Sequence, residues 1–98
     1  MAEQNQKNEV KISDNIAGAE FANLMQVFHS KEEFRLMFAH VFEPTGKVVS
    51  KVTTTPGHFK RIVRALEENL EKYEAQFGKI EEGQAPVQNG NIGFQSRE

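Results

Sequence analysis

The sequence predicts an α+β domain: an antiparallel β-meander of three to four strands, then one long C-terminal amphipathic helix packed on the sheet, the whole forming a dimer. Three observations predict it. Apolar residues recur at spacings of three and four between Thr55 and Gly78, the period of a helix buried along one side. Phe34 to Phe42 and Lys47 to Thr54 are dense in β-branched and aromatic residues and flank a turn containing Pro44 and Gly46. The part that can order, Glu20 to Gly78, is also small, and a domain of about 60 residues buries only about 60% of its unfolded surface. With no cysteine for a disulfide, association with a second copy is the remaining common remedy.

Glu20 to His29 reads as the first strand, because β-favouring residues occupy nearly every position and both faces are largely apolar. Ser30 to Glu33 follows as a turn, with a helix-opening capping box (Ser30 at the cap, Glu33 three later) as the less favoured reading. The second strand is Phe34 to Phe42. Glu43, Pro44, Thr45 and Gly46 then suit a type I turn with a glycine bulge, proline in its second position and glycine in its fourth. The third strand is Lys47 to Thr54. That turn sets Phe42 opposite Val48, His40 opposite Ser50 and Phe38 opposite Val52. One face then carries Phe34, Leu36, Phe38, Phe42, Val48 and Val52, enough to receive the helix. The other carries Arg35, Met37, Ala39, Val41, Val49, Lys51 and Thr53. This second face and the sheet edges stay partly unprotected, and pairing of two copies through their sheets would cover them.

The helix declares both ends. Thr55 can cap the first free amides, Pro56 suits the first helical position, and Gly78 suits a left-handed closing residue. Phe59, Ile62, Val63, Leu66, Leu70, Tyr73 and Phe77 fall within roughly 60° either side of one direction, a single apolar stripe.

Residues 1–19 and 79–98 are polar and read as mobile tails around one domain at 20–78, since neither can bury enough apolar surface to offset the entropy of ordering it. Val10 to Ile12 is a candidate extra edge strand, and Ile92 with Phe94 a candidate docking motif. No basic region followed by an apolar run opens the chain and no segment approaches a membrane span, so a cytoplasmic protein is expected. The net charge of −2 argues against a whole-surface match to nucleic acid. Glu20 to Gly78 holds as many acidic as basic residues, which leaves the small acidic excess in the tails.

Residues able to carry chemistry are few. His29 with Glu32 and Glu33 matches no familiar metal spacing, and a solvated turn is the plainer reading. His40 on the apolar face lacks the neighbouring nucleophile that a general base would serve. Thr53 and Thr54 are strand formers. No catalytic residue, metal ligand or cofactor is implied. Asn69 at the margin of the stripe, and Asn23 and Gln26 in an apolar strand, read either as buried amides that fix a dimer register or as exposed positions.

The order of charges on the helix is the feature that local physics does not predict. Lys60, Arg61 and Arg64 lie in its first half with no acid among them, and Glu67, Glu68, Glu71 and Glu74 crowd its second half. The helix dipole prefers the reverse. The three cations project away from the stripe with His58 beside them, so His58, Lys60, Arg61 and Arg64 form a candidate partner-binding patch for an acidic protein surface or a phosphate. The plainer reading pairs Arg64 with Glu67 or Glu68, worth only a few tenths of a kcal/mol, and leaves the others solvated. A nucleic-acid site would add more basic residues and aromatic platforms, which ranks a protein partner above nucleic acid.

FANL at Phe21 to Leu24, HSKEEF at His29 to Phe34 and PGHFKRIVRALEENLEKYEAQFG at Pro56 to Gly78 together resemble the bacterial and archaeal family known as domain of unknown function 3467, over essentially all of Glu20 to Gly78. The resemblance implies a small cytoplasmic protein with no established activity, and a transcription-linked partner as an expectation that composition and spacing do not show. One position departs from the pattern. The family often has an acidic residue in EFxxDF, where this chain has Met37 in EFRLMF. The expectation is a non-enzymatic protein–protein interaction module and homodimer, docking through the basic half of its helix. The alternative is a nucleic-acid or transcription-machinery binder using the same patch.

Overall fold

A computed structural model describes residues 8–86 and Gly93. It contains three strands, β1 (Leu24–His29), β2 (Phe34–Phe42) and β3 (Thr45–Thr54), followed by one helix, α1 (Pro56–Phe77). The strands form one antiparallel sheet in the order β1-β2-β3. This is the expected α+β meander in its three-stranded form. Val10 and Ile12 lie outside any strand and are exposed, while Ile92 and Phe94 fall outside the described residues.

The turn between β1 and β2 is held by its own backbone and by a serine. The Ser30 N–H donates to the Glu33 carbonyl (2.9 Å), and the Glu32 N–H donates to Ser30 Oγ (3.2 Å). The serine hydroxyl therefore closes a turn instead of opening a helix. Arg35 and Glu33 pair at 3.6 Å across solvent, a contact of little energetic weight.

β1 begins later than its composition suggests, and Asn23 is the reason. The Asn23 backbone N–H donates to the Ala39 carbonyl (3.0 Å), one residue off the register in which Leu24 faces Ala39, so the regular ladder stops at Leu24. Its side chain then does what a further strand residue would do. Nδ2 donates to the Val41 carbonyl (3.0 Å) and Oδ1 accepts the Val41 N–H (2.8 Å). A side-chain amide thus mimics a peptide group and satisfies the edge of β2 where β1 has ended.

The second hairpin departs from the expected register. Pro44 follows a cis peptide bond and occupies the third turn position, so Glu43 and Pro44 alone connect the strands and Phe42 pairs with Thr45. The type I turn expected from the sequence puts Pro44 in the second position, one residue out of step with the observed pairing. A bulge at Phe38/Ala39 shifts the register again. Phe38 faces Ser50 in place of Val52, Leu36 faces Val52, and Val48 faces Ala39 in place of Phe42. Val48 therefore belongs to the Met37/Ala39 face.

Partners across the ladders sort the sheet into two faces. One carries Met25, Val27, Phe34, Leu36, Phe38, Phe42 and Val52. The other carries Leu24, Gln26, Phe28, Met37, Ala39, Val48 and Lys51. Among the described residues only Leu36, Met37 and Ala39 are buried, at 8%, 5% and 4% exposure. All three lie on the central strand, where neighbours on β1 and β3 flank them. The core of the single chain is the middle of the sheet and little else.

The helix starts and stops where its caps predict. Thr55 is extended (φ −82°, ψ 158°) and its Oγ1 accepts the His58 N–H at 3.2 Å, with Pro56 opening the helix. Gly78 has φ 100° and ψ 168°, a positive φ as expected but an extended ψ, a region open essentially to glycine alone. The Gly78 N–H donates to the Glu74 carbonyl (3.0 Å) and the Ile80 N–H to Glu74 Oε2 (3.0 Å), which closes the helix end.

Contact of the helix with its own sheet is limited. The Phe59 ring lies parallel to that of Phe34, centroids 4.1 Å apart, and Phe59 and Ile62 are half-buried. Beyond that first stretch the stripe is open, with Leu66 and Phe77 at 63% and 65% exposure, and no residue of the helix is buried. The cover that the sequence leads one to expect over the sheet reaches only its Phe34 end.

Candidate partner-binding surface

The four residues singled out by charge order lie on the first turns of α1, where Thr55 and Pro56 fix the start of the helix. His58, Lys60, Arg61 and Arg64 are all exposed. Among the described residues none of the four side chains has an ion pair or hydrogen-bond partner; His58 is engaged only through its backbone N–H. The pairing of Arg64 with Glu67 or Glu68 is not formed. The first turn contains no acidic residue either, and Lys60, Arg61 and Arg64 follow in the second and third turns with no acid among them. The 100° rotation per residue puts Arg61 and Arg64 on the side of the helix opposite Leu66. Patch and apolar stripe are therefore separate surfaces of one element.

The other two histidines are held by aromatic rings. His29 stacks on Phe34 (centroids 5.4 Å), extending the Phe34–Phe59 stack to three rings at one end of the sheet. His40 meets Phe21 and Phe42 edge-on, both at 5.0 Å. Phe21 of the FANL segment thus covers a ring of β2, as Asn23 two residues on satisfies its backbone. Among the described residues no three His, Asp or Glu side chains come together as metal ligands. A shallow depression of about 200 Å³ lies at the β1–β2 turn, lined by Phe28, His29, Ser30, Glu33 and Arg35. Arg35 there is already paired with Glu33, and the Ser30 hydroxyl accepts the Glu32 N–H that closes the turn.

Of the amides, Asn23 clamps β2, and Asn69 Nδ2 donates back to the Ala65 carbonyl one turn earlier (3.1 Å) on an exposed face. Gln26 lies half-buried beside Met37. Sequence reasoning missed the Asn23 contact. The signal was available, since an asparagine just ahead of an apolar strand is the residue that can supply both a donor and an acceptor to a neighbouring backbone.

The profile of the family described as Protein of unknown function (DUF3467) matches residues 1–82. The chain belongs to this family. The match extends beyond the Glu20–Gly78 segment at both ends. No curated protein and no solved structure matches the chain. Met37, which stands where an acidic residue often occurs in the EFxxDF pattern, is among the least exposed side chains and faces Gln26 and Lys51 across the ladders. In this member the position holds a core side chain. None of the helices of the described residues is long and apolar enough to cross a membrane.

Proposed function

We propose that this DUF3467 protein is a cytoplasmic, non-enzymatic interaction module, a homodimer, that docks an acidic surface of a partner protein through Lys60, Arg61 and Arg64, with His58 at the flank. The observation that carries the reading is the uncompensated charge at the start of α1. Three cations sit exposed in the second and third turns of α1, without a carboxylate partner among the described residues. An arriving acidic surface would supply the carboxylates that these cations lack. Arginines can in addition grip carboxylates with two parallel hydrogen bonds.

Capture of partners by the tagged chain from its native cell tests this, with and without nuclease, against the variant Lys60→Gln/Arg61→Gln/Arg64→Gln. Defined protein partners that survive nuclease and are lost by the variant are the expected result. Partners that the variant retains would refute the patch. Partners lost on nuclease treatment would put the nucleic-acid or transcription-machinery reading in its place, with the steep salt dependence that phosphate contacts bring.

A further inference from the structure

Two apolar surfaces of this chain lack a cover among the described residues, and they are complementary. On the helix, Val63, Leu66, Leu70, Tyr73 and Phe77 are each exposed to about half or more of their surface, Val63 somewhat less. On the sheet face that carries Leu36, the side chains of Met25, Val27, Phe42 and Val52 are exposed to between 40% and 48%. The stacked rings of Phe34 and Phe59 join the two surfaces at the sheet end, making them one continuous apolar side of the protomer.

The helix is poorly placed to cover its own sheet. β3 ends at Thr54 and α1 begins at Pro56, so Thr55 alone connects them. A helix lying on a sheet needs its axis about 10 Å above the strands, whereas one residue spans at most about 3.6 Å. Connections between a strand and a helix that packs back on its sheet run to about 2–6 residues. Thr55 is moreover committed as the cap and Pro56 has its φ fixed, so neither can be spent on lifting the chain.

We propose that a second copy of this chain is the cover: the helix stripe of each protomer lies across the Leu36 face of the other's sheet, in a reciprocal two-fold arrangement. This rests on the homodimer reading above and specifies its geometry, with the helix rather than the sheet edges making the contact. The dimensions fit, since the 22-residue helix is about 33 Å long and the nine-residue β2 about 31 Å. The area fits as well. At about 200 Å² for a large side chain, the half-exposed residues named above offer about 900 Å² per protomer, against about 800 Å² per partner in a stable interface. A two-fold operator places the same pair of surfaces in contact twice, which closes the assembly at two. Arg61 and Arg64, on the opposite side of the helix, remain free in the dimer.

Because the chain has no cysteine, labels can be placed at will. The mass of the unmodified full chain is first measured by light scattering at micromolar concentration. Val52→Cys and Leu66→Cys chains carrying different tags are then refolded together and treated with a short bis-maleimide, and the double variant is treated likewise. A dimeric mass, with Val52→Cys linked to Leu66→Cys between differently tagged chains, is the expected result. A dimer that yields only links between like positions, Leu66→Cys to Leu66→Cys, leaves the homodimer standing and overturns the reciprocal helix-on-sheet contact. A link confined within single chains of the double variant means that the helix folds back on its own sheet and overturns it too. A monomeric mass overturns both the contact and the homodimer.

Discussion

Asn23→Ala tests the claim that a side chain completes the sheet. The substitution removes two hydrogen bonds, from Nδ2 to the Val41 carbonyl at 3.0 Å and from the Val41 N–H to Oδ1 at 2.8 Å. Each is worth a net of about 1 kcal/mol, and because Asn23 is exposed, water can replace part of what is lost. The expected cost is therefore about 1–2 kcal/mol, a fall in melting temperature of about 4–8 °C for each kcal/mol in a domain of this size. Far-UV circular dichroism against temperature reads the first quantity, at fixed protein concentration because self-association would shift the midpoint. Amide exchange reads the second: the Val41 N–H loses its acceptor and exchanges faster, while the Leu36 N–H in the middle of β2 changes only as much as global stability does. Asn23→Asp separates the two bonds. Its carboxylate keeps the acceptor for the Val41 N–H but has no donor for the Val41 carbonyl, so Val41 stays protected while the melting temperature falls. If Asn23→Ala melts like the parent and leaves Val41 exchange unchanged, the amide is a surface residue and the account of where β1 ends is wrong.

Other substitutions probe the remaining joints. Leu36→Ala is expected to cost about 2–5 kcal/mol, read from the urea midpoint, because this residue is one of only three buried among those described. Thr55→Ala should cost about 1 kcal/mol through loss of the bond from the His58 N–H to Oγ1, with Thr55→Ser restoring most of it in the same titration. Gly46→Ala brings a Cβ to 3.0 Å from the His40 carbonyl oxygen and 3.2 Å from Val41 Cα; both are backbone, so β2 must give locally beside the hairpin turn, and the melting temperature is expected to fall. At Gly78 an added Cβ meets open space, but φ 100° with ψ 168° costs a side-chain-bearing residue about 1–3 kcal/mol. Gly78→Ala is expected to release that local turn, seen as faster exchange of the Ile80 N–H that Glu74 Oε2 now accepts.

The bounds of β2 and α1 were legible in the sequence because each is marked by residues with a single local reading. Phe34 to Phe42 is an unbroken β-favouring run, and Thr55, Pro56 and Gly78 have unambiguous capping roles. The hairpin register was not legible, for a definite reason. It depends on whether Pro44 takes the second or third turn position, and proline occurs at either, so the order of residues does not decide between them. The start of β1 was misplaced because Phe21 to Asn23 has strand composition but serves β2 through side chains, a ring on His40 and an amide on Val41. Composition reports apolar and β-branched content; it does not report which atoms of a residue make the bond.

The helix poses a different problem, since the period of its stripe is legible in the sequence and what covers the stripe is not. Periodicity states that one side of a helix must be apolar to be buried, and it carries no information on which chain supplies the burying surface. That information lies in the connection: with Thr54 ending a strand and Pro56 opening a helix, one residue remains to raise the axis above the sheet. The two candidate surfaces are also separate. Along the helix the stripe and the cations at 61 and 64 lie on opposite sides. Self-association and partner docking therefore need not compete for the same residues. A single set of measurements can show this: Arg61→Gln and Arg64→Gln should leave the mass of the assembly unchanged, and a fall to the monomer in these variants would mean that the patch and the stripe belong to one interface.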